Sequence, residues 1–149
     1  DIVIASVHSS FKQDDREMTD RILRAIESPV VDIVGHPTGR LLLRREPYNL
    51  NMDEIIEAAV THGVALEINS QPQRLDLNER HAKRARDRGV KLVISTDAHA
   101  PDQFNLLDWG LLVARRAWLE PSDILNTQSI TELLASLRRK RQPNRKEDQ

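Results

Sequence analysis

Cysteine is absent from this chain. Disulfide bonds and thiolate metal sites are therefore excluded, and any bound metal ion must be held by His, Asp or Glu side chains. An excess of charge is also missing, because 22 basic and 23 acidic residues give a formal net charge of −1 with His neutral. This balance produces no general attraction to nucleic acid or membrane, so nucleic-acid binding would need a local basic patch.

Long apolar runs are missing as well. No stretch approaches the roughly 18 consecutive apolar residues that indicate a membrane-spanning helix, and no secretory signal pattern is present. We therefore expect a cytoplasmic protein without membrane contact. The first residue is Asp1 rather than Met, and a predicted strand begins at once, so we expect a piece of a longer protein. The 149 residues suffice for one domain with a hydrophobic core.

Short apolar runs alternate with amphipathic segments along the chain. The runs predict buried strands at residues 1–7, 30–34, 64–68 and 91–95. Apolar spacings near 3.6 predict helices at residues 14–27, 52–62, 78–88, 102–116 with a break at Gly110, and 129–139. Asp14 or Asp15 is the predicted first cap, Gly63 a helix stop, and Ser129 with Glu132 a capping box.

Strand followed by helix, four times over, is typical of a parallel sheet with crossover helices. The strand ends recur about every 30 residues, the size of one unit in a (β/α) barrel that takes about 250 residues for eight units. The sequence therefore predicts an α/β fold with about four parallel βα units. These units are either part of a barrel or a complete, open, doubly wound sheet.

Each predicted strand ends on a side chain that can bind a metal ion or transfer a proton. These residues are His8, then His36, then Glu67 and Asn69, then Asp97 and His99. In both architectures the active site lies at this edge of the sheet. Singly, His36 can belong to a turn, Asp97 can be an N-cap and Asn69 a loop cap. Jointly, the four strand ends favour a metal site.

Other polar and aromatic residues have alternative interpretations. Glu67 lies in a buried strand and needs a partner, which favours either a functional role or an ion pair with Arg. We expect His62 and His81 to be surface residues, and Trp109 and Trp118 to be packing anchors rather than stacking platforms.

Three arginines follow His36 on the side of the predicted site. They are Arg40, Arg44 and Arg45. Arg presents a planar fork of donors that suits phosphate, so these side chains are candidate phosphate or DNA contacts. The alternative is a solvated, charged loop.

Four stretches resemble the polymerase and histidinol phosphatase (PHP) domain. They are Ser6-Val7-His8-Ser9, Gly35-His36-Pro37-Thr38-Gly39-Arg40, Leu66-Glu67-Ile68-Asn69 and Thr96-Asp97-Ala98-His99. Residues 69–77 and 113–119 further resemble the PHP domain of bacterial family X DNA polymerases. The resemblance covers nearly the whole chain, with residues 1–141 as the C-terminal part of the domain and 142–149 as a charged tail.

The resemblance implies a distorted (β/α)7 barrel with up to three Zn²⁺ or Mn²⁺ ions, sometimes with Fe, at its mouth. By their matching positions, His8 and His36 would share one ion, Asp97 would bind a second and His99 a third. Glu67 and Asn69 would lie nearby without being primary ligands. The implied activity is hydrolysis of phosphoesters by a metal-activated water, as 3′–5′ exonuclease or DNA-end processing in DNA repair.

The chain departs from the family pattern in what it does not contain. The opening His-x-His motif, the next His or Asp ligands, the bridging Glu and the polymerase domain are all missing. We therefore expect this piece alone to be inactive, and to associate with the other half of the barrel or with another copy. DNA would be reached through the full-length polymerase. Two alternatives remain open: a histidinol-phosphatase-like small-molecule phosphatase, and a catalytically inactive PHP scaffold.

Overall fold

The computed structural model describes residues 2–141, so the predicted charged tail at 142–149 lies outside the described residues. Within that range, strands and helices alternate as predicted. The elements are β1 Ile4–Ala5, α1 Asp15–Glu27, β2 Ile33–Val34, α2 Met52–His62, β3 Ala65–Asn69, α3 Glu79–Asp87, β4 Leu92–Ser95, α4 Leu107–Arg116 and α5 Ile130–Arg141. Short 3₁₀ helices cover Pro101–Leu106, Pro121–Asp123 and Leu125–Thr127. None of the described helices has the length and apolar character needed to cross a bilayer.

The four strands form one parallel sheet in the order β1-β2-β3-β4. The predicted parallel sheet of βα units is thereby confirmed. A doubly wound sheet has a point where the strand order reverses, and residues 2–141 contain no such point. Consecutive order is compatible with part of a (β/α) barrel. Because all four strands run the same way, their carboxyl ends lie at one edge.

Local capping explains where the helices begin and end. Asp14 accepts the backbone N–H of Glu17 at 2.8 Å at the start of α1, which settles the first cap on Asp14. Gly63 ends α2 in the left-handed conformation, with φ of 62°, as predicted. The Ser129 hydroxyl accepts the N–H of Glu132 while Glu132 accepts the N–H of Ser129. The predicted capping box is therefore confirmed.

Strand β3 separates the apolar core from the candidate site. Leu66 and Ile68 are fully buried within the hydrophobic cluster. Because side chains alternate along a strand, Glu67 and Asn69 project from its opposite face. The cluster is completed mainly by residues of the four surrounding helices and the C-cap of α4: Ile22, Ile26, Met52, Ile55, Ile56, Ala59, Ala82, Ala85, Val113, Ala114 and Ala117.

The first strand differs from the prediction. We expected a buried strand, but β1 has only two residues, and Ile2, Val3 and Ile4 are 45%, 38% and 57% exposed. The physical reason is position, because β1 is the outer strand of the sheet and pairs only with β2. At the other outer strand, β4, the Asn126 side chain instead bonds to both the N–H and the carbonyl of Ile94. The exposed β1 edge is therefore the open side of this sheet.

The predicted break at Gly110 is wrong. The chain changes from 3₁₀ to α-helix at Leu107, and α4 continues through Gly110. A Cβ at position 110 would lie 2.2 Å from the Ser70 hydroxyl and 2.5 Å from Ile94 Cγ2. Glycine is therefore needed because the helix approaches the sheet closely.

The aromatic residues of this region are also more exposed than expected. Trp109 and Trp118 are 46% and 73% exposed, so their prediction as packing anchors is wrong. Phe104, Leu107 and Leu111 lie on the outer side as well, with at least 40% of each exposed. The small residues of α4 and its end are the ones that pack on the core, because only they allow the close approach.

Candidate functional site

The structure brings several predicted strand-end residues together. The rings of His8 and His36 lie edge to face, with their centroids 5.3 Å apart. Asn69 Nδ2 donates to Asp97 Oδ2 at 3.3 Å, which links the ends of β3 and β4. Glu67 joins the two pairs, since its Oε2 accepts the backbone N–H of His36 and, at 3.4 Å, the amide of Asn69.

Glu67 is the centre of this network. Its carboxylate is 5% exposed and also accepts the hydroxyl of Ser95 on β4. Burial raises the pKa of Glu67, and the hydrogen bonds from Ser95, His36 and Asn69 oppose that rise. Among residues 2–141 it has no ion pair with Arg. One buried side chain thus connects β2, β3 and β4.

His36 is buried and has an unusual backbone conformation. It is 5% exposed, its φ of 31° is unusual for a residue other than glycine, and its N–H is fixed by Glu67. Burial lowers the pKa of His36, and the charge of Arg74 lowers it further. The ring therefore favours the neutral form, which ligates metals. Its buried Nδ1 has no hydrogen-bond partner within the described residues.

Asp97 follows β4 and is also held at positive φ, at 48°. The next helix begins at Pro101, and its cap residue is Ala100, so the N-cap interpretation of Asp97 is wrong. Gln71 Nε2 donates to the Thr96 carbonyl at 2.8 Å and fixes the chain just before Asp97. The Asp97 carboxylate therefore does not cap a helix and instead interacts with the side chains of Asn69 and Arg74.

His99 is exposed, but its ring is tethered. Nδ1 lies 2.8 Å from the carbonyl oxygen of Asp97. A carbonyl can only accept, so Nδ1 is the donor in this contact and Nε2 is the ring nitrogen that this bond leaves free. The backbone N–H of His99 donates to Gln103 Oε1 at 2.8 Å, which fixes this turn. His99 is therefore oriented as a single-nitrogen ligand would be.

The donor set fits part of a site for a divalent ion. Imidazole and carboxylate groups are ligands for Zn²⁺ and Mn²⁺, and the unpartnered Nδ1 of His36 is a donor that the protein itself does not use. Across residues 2–141, however, no three His, Asp or Glu side chains are grouped closely enough to hold an ion. A complete site therefore needs further ligands.

The three arginines that were predicted to bind phosphate make different contacts. Arg40 Nε donates to the Arg74 carbonyl at 2.7 Å, and its Nη2 donates to the carbonyl of Leu75. Arg45 donates to the Gly39 carbonyl and lies over the Phe11 ring, 4.2 Å from the centroid. Arg44 is exposed. Two of the three guanidinium groups therefore support the loop, and phosphate contact by any of them stays a prediction.

Sequence reasoning missed two residues that border the site. Asp76 is fully buried and accepts the N–H of Thr38 at 3.0 Å. Arg74 Nε lies 3.7 Å from Asp97 Oδ2. The available signal for Asp76 was its place between Leu75 and Leu77, since a carboxylate in an apolar run needs a buried partner. For Arg74 there was no signal, because only the folded loop brings it to the site.

The two histidines outside the site have different surroundings. His62 is exposed at the end of α2, as predicted. His81 is half-buried, so its prediction as a surface residue is wrong. Its Nδ1 is buried without a hydrogen-bond partner among the described residues, beside a groove of about 610 Å³ that Thr38 and Asn51 also line. His81 lies in the first turn of α3 and lines this groove, so the groove walls shield part of its ring from solvent.

Comparison with known proteins finds relatives of two kinds. The DNA polymerase/3′-5′ exonuclease PolX of Bacillus subtilis (strain 168) is 43% identical over 139 residues, which is 93% of this chain and 24% of that protein. A probable phosphatase of Thermoanaerobacter sp. (strain X514) is 32% identical over 151 residues, or 94% of this chain and 59% of that protein. A probable phosphatase of Shewanella sp. (strain ANA-3) is 30% identical over 134 residues, covering 85% and 51%.

The chain thus spans about a quarter of the polymerase and between half and three fifths of these phosphatases. No model of a known protein family matches it. The similarities are consistent with a piece of a PHP domain, and the names of the relatives point to phosphoester hydrolysis.

Asp76 generates a prediction about pH. Burial raises its pKa from 3.8 to about 6, so the folded protein holds this proton more tightly than the unfolded chain. Stability from this group is complete below the unfolded pKa and is lost as the pH rises through about 6. The quantity to compare is the free energy of unfolding of Asp76→Asn minus that of wild type. We expect this difference to be about 2 kcal/mol larger near pH 7 than near pH 4, because asparagine does not ionise.

Urea unfolding followed by circular dichroism at both pH values measures this difference. Asp108→Asn, on the exposed face of α4, is the matched control and should show no such pH dependence. An Asp76→Asn effect that is the same at both pH values would contradict the burial of an ionisable carboxyl at this position.

Proposed function

We propose that this chain is part of a metal-dependent phosphoesterase that trims or processes DNA ends, as a 3′–5′ exonuclease beside a family X DNA polymerase in DNA repair. The observation that carries the proposal is the hydrogen bond from the His36 N–H to the buried Glu67. It fixes the backbone of His36, whose ring lies beside His8 at the edge where Asp97 also lies. The similarity to the PolX protein supports the choice of DNA as substrate.

In this proposal, His8 and His36 hold one divalent ion, and Asp97 and His99 contribute to others, with Zn²⁺ or Mn²⁺ matching these donors. Such ions, when bound, supply Lewis acidity toward the phosphate and activate water for attack. Further ligands would come from the remainder of the same domain, which would complete a (β/α)7 barrel.

Each residue of this chain would have a separate task. Glu67 positions His36 through its backbone and keeps the ends of three strands together. Asn69 orients the Asp97 carboxylate, which brings negative charge to the cation site. The tether from Nδ1 of His99 leaves its Nε2 available as a ligand. These are positioning effects of the kind that keep metal ligands in one orientation.

A small-molecule phosphatase of the histidinol-phosphatase type is the second candidate. It is favoured by the share of each relative that aligns with this chain, which is 59% of a probable phosphatase but only 24% of the polymerase. A catalytically inactive scaffold is the third candidate, and the absence of a three-ligand group within residues 2–141 favours it.

A DNA-processing role would place the protein in the cytoplasm, where bacterial DNA lies.

We further propose that the open edge at β1 pairs with the preceding part of the same domain in the full-length protein. Ile2, Val3 and Ile4 are 45%, 38% and 57% exposed there, an apolar edge that isolated sheets avoid. The relatives are longer than this chain, so additional polypeptide is available to cover it. This pairing would bring further metal ligands to the same edge.

Activity distinguishes the three candidates. In the full-length protein with Mn²⁺, we expect His36→Ala and Asp97→Ala each to slow release of nucleotides from the 3′ end of single-stranded DNA by roughly 100-fold, because metal ligands are lost. The exposed His62→Ala is the control and should keep the wild-type rate. Both single-stranded DNA and histidinol phosphate are assayed.

Turnover of histidinol phosphate without DNA trimming would contradict the nuclease role and support the small-molecule phosphatase. If His36→Ala and Asp97→Ala both keep the wild-type nuclease rate, a metal site at these residues is contradicted. The catalytically inactive scaffold would then be the remaining candidate.

The edge proposal predicts that Ile4→Lys acts differently in two contexts. In the 149-residue chain Ile4 is exposed, so the substitution should leave the free energy of unfolding nearly unchanged. In the full-length protein it should cost about 1–3 kcal/mol, because the lysine would be buried without a partner. Urea unfolding of both proteins is the measurement.

Val60→Lys serves as the control for that comparison, because Val60 is 43% exposed on the outer side of α2. It should be tolerated equally in both proteins. If Ile4→Lys changes the free energy of unfolding equally little in both proteins, the proposal that another segment covers β1 is contradicted.

A further inference from the structure

Arg74 lies in a short loop that folds back over the carboxyl end of β3. The loop is closed by backbone hydrogen bonds between Asn69 and Asp76, including an Asn69 N–H bond to the Asp76 carbonyl of 2.5 Å. Inside it, the N–H groups of Arg74 and Leu75 both donate to the Gln71 carbonyl, at 2.7 and 3.0 Å. Arg74 is therefore carried by a tight turn at the edge where the metal-ligand candidates meet.

The guanidinium group of Arg74 has donors that the protein does not use. Its described polar contact is the ion pair from Nε to Asp97 Oδ2, which at 3.7 Å is longer than a hydrogen bond. Nη1 is buried and has no hydrogen-bond partner among residues 2–141. The side chain keeps 17% of its surface exposed. A buried donor without a partner is costly, so an acceptor from outside the protein is expected here.

The position of Arg74 is enforced by its neighbours. The Arg40 guanidinium donates to the carbonyls of both Arg74 and Leu75, and the N–H of Leu42 donates to the carbonyl of Gln73 at 2.6 Å. These bonds join the 40–42 segment to the loop. Arg40 thus holds the backbone that carries Arg74, and these bonds occupy its Nε and Nη2.

Charge around the loop favours an anion as the missing acceptor. Asp97 is the carboxylate that faces Arg74, and that carboxylate is shared with Asn69 and, under the proposed function, with a cation. Once Asp97 is committed to a cation, the positive charge of Arg74 lacks a counterion. A phosphate oxygen fits both the charge and the planar fork of donors.

We propose that Arg74 binds the phosphate group of the substrate, a role that the sequence pattern suggested for Arg40, Arg44 and Arg45. This inference rests on the proposed function, because it takes the phosphoester to be held at the same edge. Its ligand class is a phosphomonoester or the terminal phosphodiester of a nucleic acid. The competing role is structural, with Arg74 serving only to neutralise Asp97.

Binding of inorganic phosphate to the metal-loaded full-length protein separates these roles. Isothermal titration calorimetry is performed on wild type, Arg74→Met, Arg74→Lys and the control Arg24→Met, which changes an exposed residue in the last turn of α1. Metal content is measured by mass spectrometry. We expect phosphate affinity to fall by at least about tenfold in Arg74→Met and by less in Arg74→Lys, which keeps the charge but not the fork. Arg24→Met should resemble wild type, and metal content should stay equal in all four proteins.

Phosphate affinity that is unchanged in Arg74→Met would overturn the inference. A loss of metal from both Arg74 variants would also overturn it, because it would show that Arg74 supports Asp97 instead. If Arg74→Met does not fold, the Arg74→Lys variant is used instead. Wild-type affinity for phosphate and wild-type metal content in Arg74→Lys would then contradict the phosphate role. Wild type that binds phosphate through Arg74 but hydrolyses neither DNA nor histidinol phosphate would reject the proposed function alone.

Discussion

A single buried carboxylate holds the candidate site together. Glu67 accepts hydrogen bonds from His36 after β2, from Asn69 within β3 and from Ser95 at the end of β4. Burying a carboxylate is costly unless it is well hydrogen-bonded, and these bonds offset that cost. Loss of the carboxylate would leave a buried N–H and hydroxyl unpaired. Glu67 therefore fixes the geometry of the strand ends, although it is not itself predicted to be a ligand.

Two of the described non-glycine residues with positive φ lie beside this network. His36 and Asp97 both have positive φ, a conformation that is uncommon for residues with side chains. Strained residues of this kind persist only where their surroundings enforce them, and they cluster at functional sites. Here the surroundings are Glu67 for His36, and Asn69 with Gln71 for Asp97. The apolar core beneath, around Leu66 and Ile68, supplies the rigid support.

Features governed by neighbouring residues in the chain were predictable from the sequence. The four strands, the helix stop at Gly63 and the capping box at Ser129 depend on local patterns, and the structure confirms them. The clustering of His8 and His36 followed from parallel strands ending at one edge.

Features governed by distant contacts were not predictable. The exposure of β1 and Trp118 depends on what lies beyond them, and Gly110 is explained only by its approach to Ser70. The place of Arg74 at the site requires the loop to fold back on β3, and the partners of Glu67 come from two other strands. Polar networks of this kind join positions about 30 residues apart, so no local pattern reveals them.

The affinity of the full-length Glu67→Gln variant for Mn²⁺ tests the central role of this carboxylate most directly. Glutamine keeps the size of the side chain but replaces one acceptor oxygen with a donor, so it cannot accept from both His36 and Ser95. Titration followed by electron paramagnetic resonance should show binding weakened by about 10–100-fold relative to wild type. The exposed Glu57→Gln should bind normally. Wild-type affinity in Glu67→Gln would contradict the view that Glu67 positions the metal ligands.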